Sequence, residues 1–255
     1  KRDCTMIATL EYAKSVVDEC NKSDSQKFEK YNTSTDKIKS LLDRRYLTNL
    51  DFSDKTCVVI GNGGSVLDKE LGQKIDEHDI IVRTNLGMSE GFEKHVGSRT
   101  DIRFMSAKSF GNPLNHNGVR YSQYHRNYLP LSQKQHIIIR SAGKIGSLIN
   151  GWAMNTYSEH TFSILDLSYN KQLDEHVKGK TNHWCSVGFS AIHTMLDFGC
   201  KVSICGFDFY MEEENKYHYF EDTIKSVETG FPNHNMISER KYIKDLESRD
   251  KINIL

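Results

Sequence analysis

Short apolar runs rich in β-branched residues recur along the chain from Thr56 onward. Polar or glycine-containing segments bound them, as is typical of strands. The runs cover residues 57–60, 80–83, 102–105, 136–140, 162–165 and 202–205. Several are apolar throughout rather than alternating, a pattern of strands that are buried on both faces of a parallel sheet. We therefore predict a mostly parallel central sheet.

Helical periodicity fills much of the remaining chain. It is found in residues 6–17, 28–42, 65–77, 145–155 and 189–198. Alternating strands and helices indicate a Rossmann-like α/β fold in which helices flank one sheet. We expect residues 1–50 to form a helical segment packed on a main domain of residues 51–255. Residues 107–135, rich in Asn, Ser, Tyr and His, are expected to be long loops at the mouth of a site.

Composition narrows the partners of this 255-residue chain. Its 34 basic and 34 acidic residues give a net charge of zero, so we expect no nucleic-acid partner. No apolar run approaches the roughly 20 residues that span a bilayer. Because the sequence starts at Lys1 rather than Met, a signal or anchor upstream of it stays open.

Six cysteines are present, but none has the spacing of zinc ligands, and we expect no metal site. Their even number is compatible with disulfides. Two sequons favour a chain of the secretory pathway, one at Asn21 and one at Asn32. The cysteines are Cys4, Cys20, Cys57, Cys185, Cys200 and Cys205.

A glycine-rich turn, Gly61-Asn62-Gly63-Gly64, follows the first predicted strand. Glycines in such a turn let backbone amides approach a phosphate, although many such turns serve only close packing. The third glycine of a dinucleotide fingerprint is absent, and no carboxylate ends the second strand. Asn62, at the tip, has an amide that suits a phosphate or a sugar hydroxyl.

Further polar residues stand at the ends of predicted elements. Asn85 follows the second strand and either faces the same ligand or caps a turn. Ser186 and Gly188 stand at the start of a helix, where a hydroxyl and backbone amides suit an anionic group. His218 and His234 each lie in a short polar and aromatic context near the C-terminus.

In this order, the segments resemble the four sialyl motifs of the eukaryotic-type sialyltransferase family. Residues 56–106 resemble the long motif and residues 185–207 the short one, which ends in Gly206-Phe207. His218-Tyr219-Phe220-Glu221 resembles the third motif. His234, with Glu239 after four intervening residues, resembles the very short motif.

The resemblance implies a GT-A-like variant of the fold and an inverting, metal-independent enzyme without a cofactor. Such an enzyme moves sialic acid from CMP-sialic acid to a hydroxyl of an acceptor glycan on a glycoprotein or glycolipid. An α2,3 link to galactose is preferred. By resemblance His234 is the catalytic base and His218 binds the departing phosphate. Glu239 either orients the imidazole of His234 or caps a helix.

The resemblance also implies a set of residues that bind the CMP-sugar. They are Asn62, Gly63, Asn85, Ser186, Gly188, Gly206 and His218. Val187 stands where the family has a hydroxyl-bearing residue near the donor's carboxylate. Two alternatives follow from Val187: a CMP-Kdo-dependent transferase, or a non-catalytic relative that binds CMP or glycan.

A disulfide between Cys57 and Cys200 is implied as well. Cys4–Cys20 is a second candidate pair, and the states of Cys185 and Cys205 stay open. The family context implies a type II membrane glycoprotein of the Golgi lumen, with its anchor upstream of Lys1.

Overall fold

The structure is a computed structural model, and it describes residues 5–23, 28, 32–111, 133–140, 145–156, 159–177, 184–209, 218–220 and 234–255. Those residues divide between two compact units. One unit consists of Lys1–Leu50 and Ile102–Asn170, and the other of Asp51–Asp101 and Lys171–Leu255. The predicted division into residues 1–50 and 51–255 stays a prediction.

Labels of elements follow the chain order. The strands are β1 (Thr56–Ile60), β2 (Ile80–Thr84), β3 (Ile102–Ser106), β4 (His136–Arg140), β5 (Thr161–Ile164), β6 (Lys201–Cys205) and β7 (Ile252–Ile254). The α-helices are α1 (Leu10–Ser23), α2 (Thr35–Arg45), α3 (Gly72–Asp76), α4 (Glu93–Val96), α5 (Ala107–Gly111), α6 (Ile145–Asn155), α7 (Leu167–Glu175), α8 (Val187–Asp197) and α9 (Met236–Ser248). A 3-10 helix covers Gly64–Asp68.

The second unit contains four parallel strands in the order β2-β1-β6-β7. β1 is paired on both sides, with Cys57 opposite Ile80 on β2 and opposite Val202 on β6. Four of its five residues are buried, and so are all five of β2. This burial on both faces explains the uninterrupted apolar runs in the sequence.

The first unit holds the parallel strands β3, β4 and β5 in that order. The N-terminal segment of this unit pairs with β5 and with Leu165, the residue that follows β5. Ile7 forms an antiparallel bridge with Leu165, and the amide of Leu47 donates to the Phe162 carbonyl at 2.8 Å. The α/β fold with parallel strands flanked by helices is as predicted.

All six predicted strands are present, each within one residue of its predicted bounds at either end. Helices agree less well. The helix predicted over 65–77 is a 3-10 helix followed by short α3, because Lys69 between them has an extended backbone (φ −129°, ψ 148°). The helix predicted over 28–42 is interrupted: Phe28 is helical, but Asn32 has a φ of 50° that no α-helix accommodates, and α2 begins at Thr35.

Two further differences concern regions that the sequence pattern assigns to loops or to no element. Within 107–135, residues 107–111 form α5, while 112–132 lie outside the described residues. Helices α4, α7 and α9 and strand β7 were not predicted. β7 has only three residues, too few for a periodic signal.

Candidate active site

The glycine-rich turn is held by the segment that follows β6. Gly61 donates its amide to the Cys205 carbonyl at 2.8 Å, and Gly63 donates to the Gly206 carbonyl at 2.9 Å. A Cβ at Gly61 would lie 2.2 Å from the Gly206 oxygen, so glycine is required there for close packing. Two amides that we predicted to face a phosphate are therefore bonded within the protein.

A third amide, that of the residue just after this turn, is bonded to a carboxylate. Ser65, in the 3-10 helix, donates its backbone N–H to Asp208 Oδ2 at 3.0 Å and its hydroxyl to Asp208 Oδ1. A Cβ at Gly63 would lie 2.5 Å from this carboxylate. Sequence patterns assign Asp208 no role, since it lies 143 positions from Ser65.

Asn62 presents a hydrogen-bond acceptor. Its Nδ2 donates to the Thr84 carbonyl at 3.2 Å, which fixes the orientation of the amide. Its Oδ1 is buried and accepts no hydrogen bond within the part of the chain that the structure describes. An oxygen acceptor takes a hydroxyl or an amino group, not an unprotonated phosphate oxygen. Oδ1 therefore suits the predicted sugar hydroxyl, and contact of Asn62 with a donor stays a prediction.

Asn85 follows β2 as predicted, one strand away from the turn after β1. It is partly exposed and has a φ of 46°, a left-handed conformation that Asn tolerates better than most residues. Because Ile60 pairs with Arg83, the parallel strands end side by side and bring Asn62 and Asn85 to the same edge.

Ser186 and Glu239 bind each other. The buried carboxylate of Glu239, on α9, accepts the backbone N–H and the hydroxyl of Ser186, each at 2.6 Å. The Ser186 hydroxyl also accepts from the Phe189 amide at 3.1 Å and so caps α8. Its amide and its hydroxyl proton are thus directed to Glu239, and its predicted contact with the donor stays a prediction. For Glu239, the contact supports the structural alternative.

Gly188, in the first turn of α8, packs against Phe207. A Cβ at this position would lie 2.6 Å from the Phe207 ring. Gly206, which precedes that phenylalanine, has a φ of +68°. Both glycines are therefore needed for backbone geometry and close packing, and their predicted contacts with a donor stay predictions.

His234 precedes α9 and has a defined ring orientation. Its Nδ1 lies 2.7 Å from the backbone oxygen of Trp184, and since a carbonyl only accepts, Nδ1 carries the proton. In the neutral ring Nε2 then bears the lone pair. Asn235 caps the first turn of α9 by accepting from Ser238 at 3.1 Å. The arrangement suits a proton acceptor at Nε2.

The third motif is tied to the long motif through its tyrosine. Tyr219 donates its amide to the Asn62 carbonyl at 2.9 Å and its hydroxyl to the Met88 carbonyl. His218 stacks on Phe220, with ring centroids 5.1 Å apart and planes inclined by 16°. Glu221 lies outside the described residues.

Arg83 is a structural centre that the sequence did not single out for a role. Its guanidinium is fully buried, and the residues it contacts form one segment of the long motif. It donates to Thr100 Oγ1 and to the carbonyls of Val96, Gly97 and Arg99, at 2.8 to 3.0 Å. The signal available in the sequence is a charged residue within an apolar strand.

A profile of glycosyltransferase family 29 (sialyltransferase) matches residues 8–251. The chain belongs to this family. The resemblance found in the sequence motifs is confirmed by this match. Among curated relatives, the human type 2 lactosamine α-2,3-sialyltransferase is 29% identical over 217 residues. That alignment covers 78% of this chain and 63% of the relative.

Another relative is the rat CMP-N-acetylneuraminate-β-1,4-galactoside α-2,3-sialyltransferase, 26% identical over 220 residues. The alignment covers 75% of this chain and 55% of the rat protein, so the chain spans less than two thirds of these relatives. The crystal structure of a mammalian sialyltransferase is similar, with a TM-score of 0.61 and 20% identity, covering 100% of this chain and 91% of that one. This likeness confirms the fold class.

In this sialyltransferase family member, the cysteines predicted to pair are neighbours. Cys57 on β1 and Cys200 just before β6 are thiols in the structure, with a hydrogen bond between their side chains. That hydrogen bond and burial raise the pKa of the Cys57 thiol. Burial raises the pKa of Cys205 to about 12. Cys185 is buried 3.2 Å from the Ser190 hydroxyl, and Cys4 lies outside the described residues.

The described part of the chain contains neither a candidate metal site nor a candidate membrane-spanning helix. Among the described residues, no cluster of three or more His, Cys, Asp or Glu side chains could hold a metal ion. Within the same residues, no helix combines the length and apolar character that crossing a membrane requires. Metal independence stays a prediction.

Proposed function

We propose that this chain transfers sialic acid from CMP-sialic acid to a hydroxyl of an acceptor glycan, with inversion and without a metal. Membership of the sialyltransferase family supports the reaction class. The names of the relatives, which act on lactosamine or on a β-1,4-galactoside, support a galactose-terminated acceptor and an α2,3 linkage.

His234 is the general base in this proposal, and its hydrogen bond to Trp184 is the observation that carries it. With Nδ1–H held by the carbonyl at 2.7 Å, Nε2 accepts the proton of the acceptor hydroxyl. That oxygen forms a bond to the anomeric carbon while the bond from this carbon to the phosphate oxygen breaks. CMP leaves with the electron pair, and the anomeric configuration inverts.

Other residues supply binding. His218 contacts the departing phosphate and donates a proton to it. Asn62 Oδ1, which is buried without a donor among the described residues, accepts from a hydroxyl of the donor. Asn85, at the same sheet edge, binds the CMP moiety. Gly63, Gly188 and Gly206 support this site by close packing, because the space of a Cβ at each is taken by Asp208, Phe207 and Gly61 respectively. Because Ser186 is bound to Glu239, its contribution is to hold α8 in place.

Because Val187 replaces a hydroxyl-bearing residue of the family, two donors have to be compared. Val187 is buried, with 9% of its surface exposed, so it packs inside the protein. Since it offers no hydroxyl to the carboxylate of the donor, the test includes CMP-Kdo as a second donor. We further propose that the protein works in the Golgi lumen and that the neighbouring thiols of Cys57 and Cys200 are oxidised to a disulfide there.

The test is a transfer assay with N-acetyllactosamine and either donor, read by mass spectrometry, with the anomeric configuration of the product assigned by NMR. His234→Ala is expected to lower kcat by about 10²- to 10⁴-fold while CMP still binds. His95 is the matched control, because its Nδ1 also lies 2.8 Å from a carbonyl, that of Lys69. His95→Ala should retain full activity.

Full activity of His234→Ala would show that His234 is not the base. Binding of CMP without transfer from either donor would favour a non-catalytic relative. Loss of activity in EDTA, restored by a divalent cation, would contradict metal independence.

A further inference from the structure

The glycine-rich turn is bonded along its whole length to residues 205–208. Backbone N–H groups at alternate positions of the turn each find an acceptor in that segment. Gly61 binds Cys205, Gly63 binds Gly206, and Ser65 binds the carboxylate of Asp208. The first two acceptors are backbone carbonyls, which any residue would supply. Only the third depends on a side chain.

The carboxylate of Asp208 is also packed closely against the turn. It receives both the backbone N–H and the hydroxyl of Ser65. A Cβ on Gly63 would lie 2.5 Å from it, so the turn and the carboxylate fit together without spare room. Hydrogen bonds to a charged acceptor are stronger than neutral ones. Asp208 therefore fixes the distal end of the turn.

Asn62 lies between the two bonded glycines. Its amide reaches Thr84 at 3.2 Å, and its Oδ1 is buried beside Gly87. The direction of this oxygen depends on the backbone of residues 61–65, which the bonds of Gly61, Gly63 and Ser65 hold together. A shift of about 1 Å in such a group is enough to weaken binding strongly.

We propose that Asp208 is a positioning residue that latches the glycine-rich turn, so that Asn62 Oδ1 meets a hydroxyl of the nucleotide-sugar donor. The proposal rests on the proposed function, since it concerns the same donor. Asp208 itself contacts no substrate. It acts through Ser65 and the turn.

The experiment measures donor KM, kcat and CMP affinity by calorimetry for Asp208→Ala and Ser65→Ala. Losing the latch is expected to raise donor KM and the Kd of CMP about tenfold in Asp208→Ala, with kcat within about threefold. Ser65→Ala, which keeps the backbone bond, should raise them about threefold, and Ser65→Thr should restore them. The double variant should be no worse than Asp208→Ala, because both changes remove one interaction.

The matched control is Asp68→Ala, which removes an exposed carboxylate from the same 3-10 helix. It should leave donor KM and CMP affinity unchanged. Thermal unfolding checks that each variant is folded. If Asp208→Ala does not fold, Ser65→Ala and Ser65→Thr decide the question.

Three outcomes would overturn the latch: donor KM within twofold of wild type in Asp208→Ala, an equal rise in Asp68→Ala, or a fall in kcat alone. Failure of the proposed function is a different result, in which the wild-type protein transfers neither sugar. CMP affinity then still tests the latch.

Discussion

Removing the Glu239 carboxylate should destabilise the protein strongly. Only 1% of this residue is exposed, and its carboxylate accepts two hydrogen bonds of 2.6 Å from Ser186. Each charge-assisted bond contributes about 1.5–3 kcal/mol, and Glu239→Ala leaves an N–H and a hydroxyl without their acceptor. We expect the free energy of unfolding to fall by about 3–5 kcal/mol.

The isosteric variant Glu239→Gln separates charge from shape. Its amide oxygen still accepts from the Ser186 N–H, but its NH₂ group faces a hydroxyl whose proton then loses its acceptor. We expect a loss of about 1–2 kcal/mol, between the wild type and the alanine variant.

Urea unfolding followed by circular dichroism gives these free energies, and a double-mutant cycle with Ser186→Ala isolates the pair. A coupling energy of at least about 1 kcal/mol is expected. Additive effects of the two changes, or a loss below about 1 kcal/mol in Glu239→Ala, would refute the bond as the reason for burying this carboxylate.

Two further predictions test other parts of the molecule. In Gly87→Ala, a Cβ 2.6 Å from Asn62 Oδ1 displaces that oxygen, so donor KM should rise about tenfold in the transfer assay; an unchanged KM would contradict the role of Asn62. Burial lowers the pKa of His136 to about 4, below the value near 6.5 in the unfolded chain, so the folded protein favours the neutral imidazole. Its contribution to stability is complete above pH 6.5 and declines as pH falls toward 4, by up to about 3 kcal/mol. Urea unfolding between pH 7 and pH 4 should therefore show a flatter pH dependence in His136→Gln, and an unaltered slope would contradict the assignment.

The strands were predictable because each is a local pattern. Runs of Val and Ile such as those of β1 and β2 are buried on both faces, and burial is what the apolar sequence records. Helix boundaries depended on single backbone conformations, such as the left-handed Asn32, that periodicity does not register. The short strand β7 depends on β6 for its pairing.

The order of the motifs identified candidate residues of the site, but not the contacts that they make. Motifs selected His234 and Asn62, but the atoms each presents are set by distant residues. Trp184 fixes the tautomer of His234 from 50 positions away, and Glu239 reaches Ser186 across 53. No local pattern encodes such contacts, and Asp208 carried no motif at all.

The separation between Ser65 and Asp208 has a consequence for synthesis of the chain. Their bond closes a loop of 143 positions, and closing it costs about 2 kcal/mol more entropy than closing a ten-residue turn. During translation, the glycine-rich turn emerges long before any of its partners at 205–208 exist. Until then β1 lacks its neighbour β6 and exposes an unpaired edge, the kind of surface that chaperones protect. A ribosome stalled before residue 205 therefore carries the long motif in full, but none of the three bonds that hold the turn can have formed.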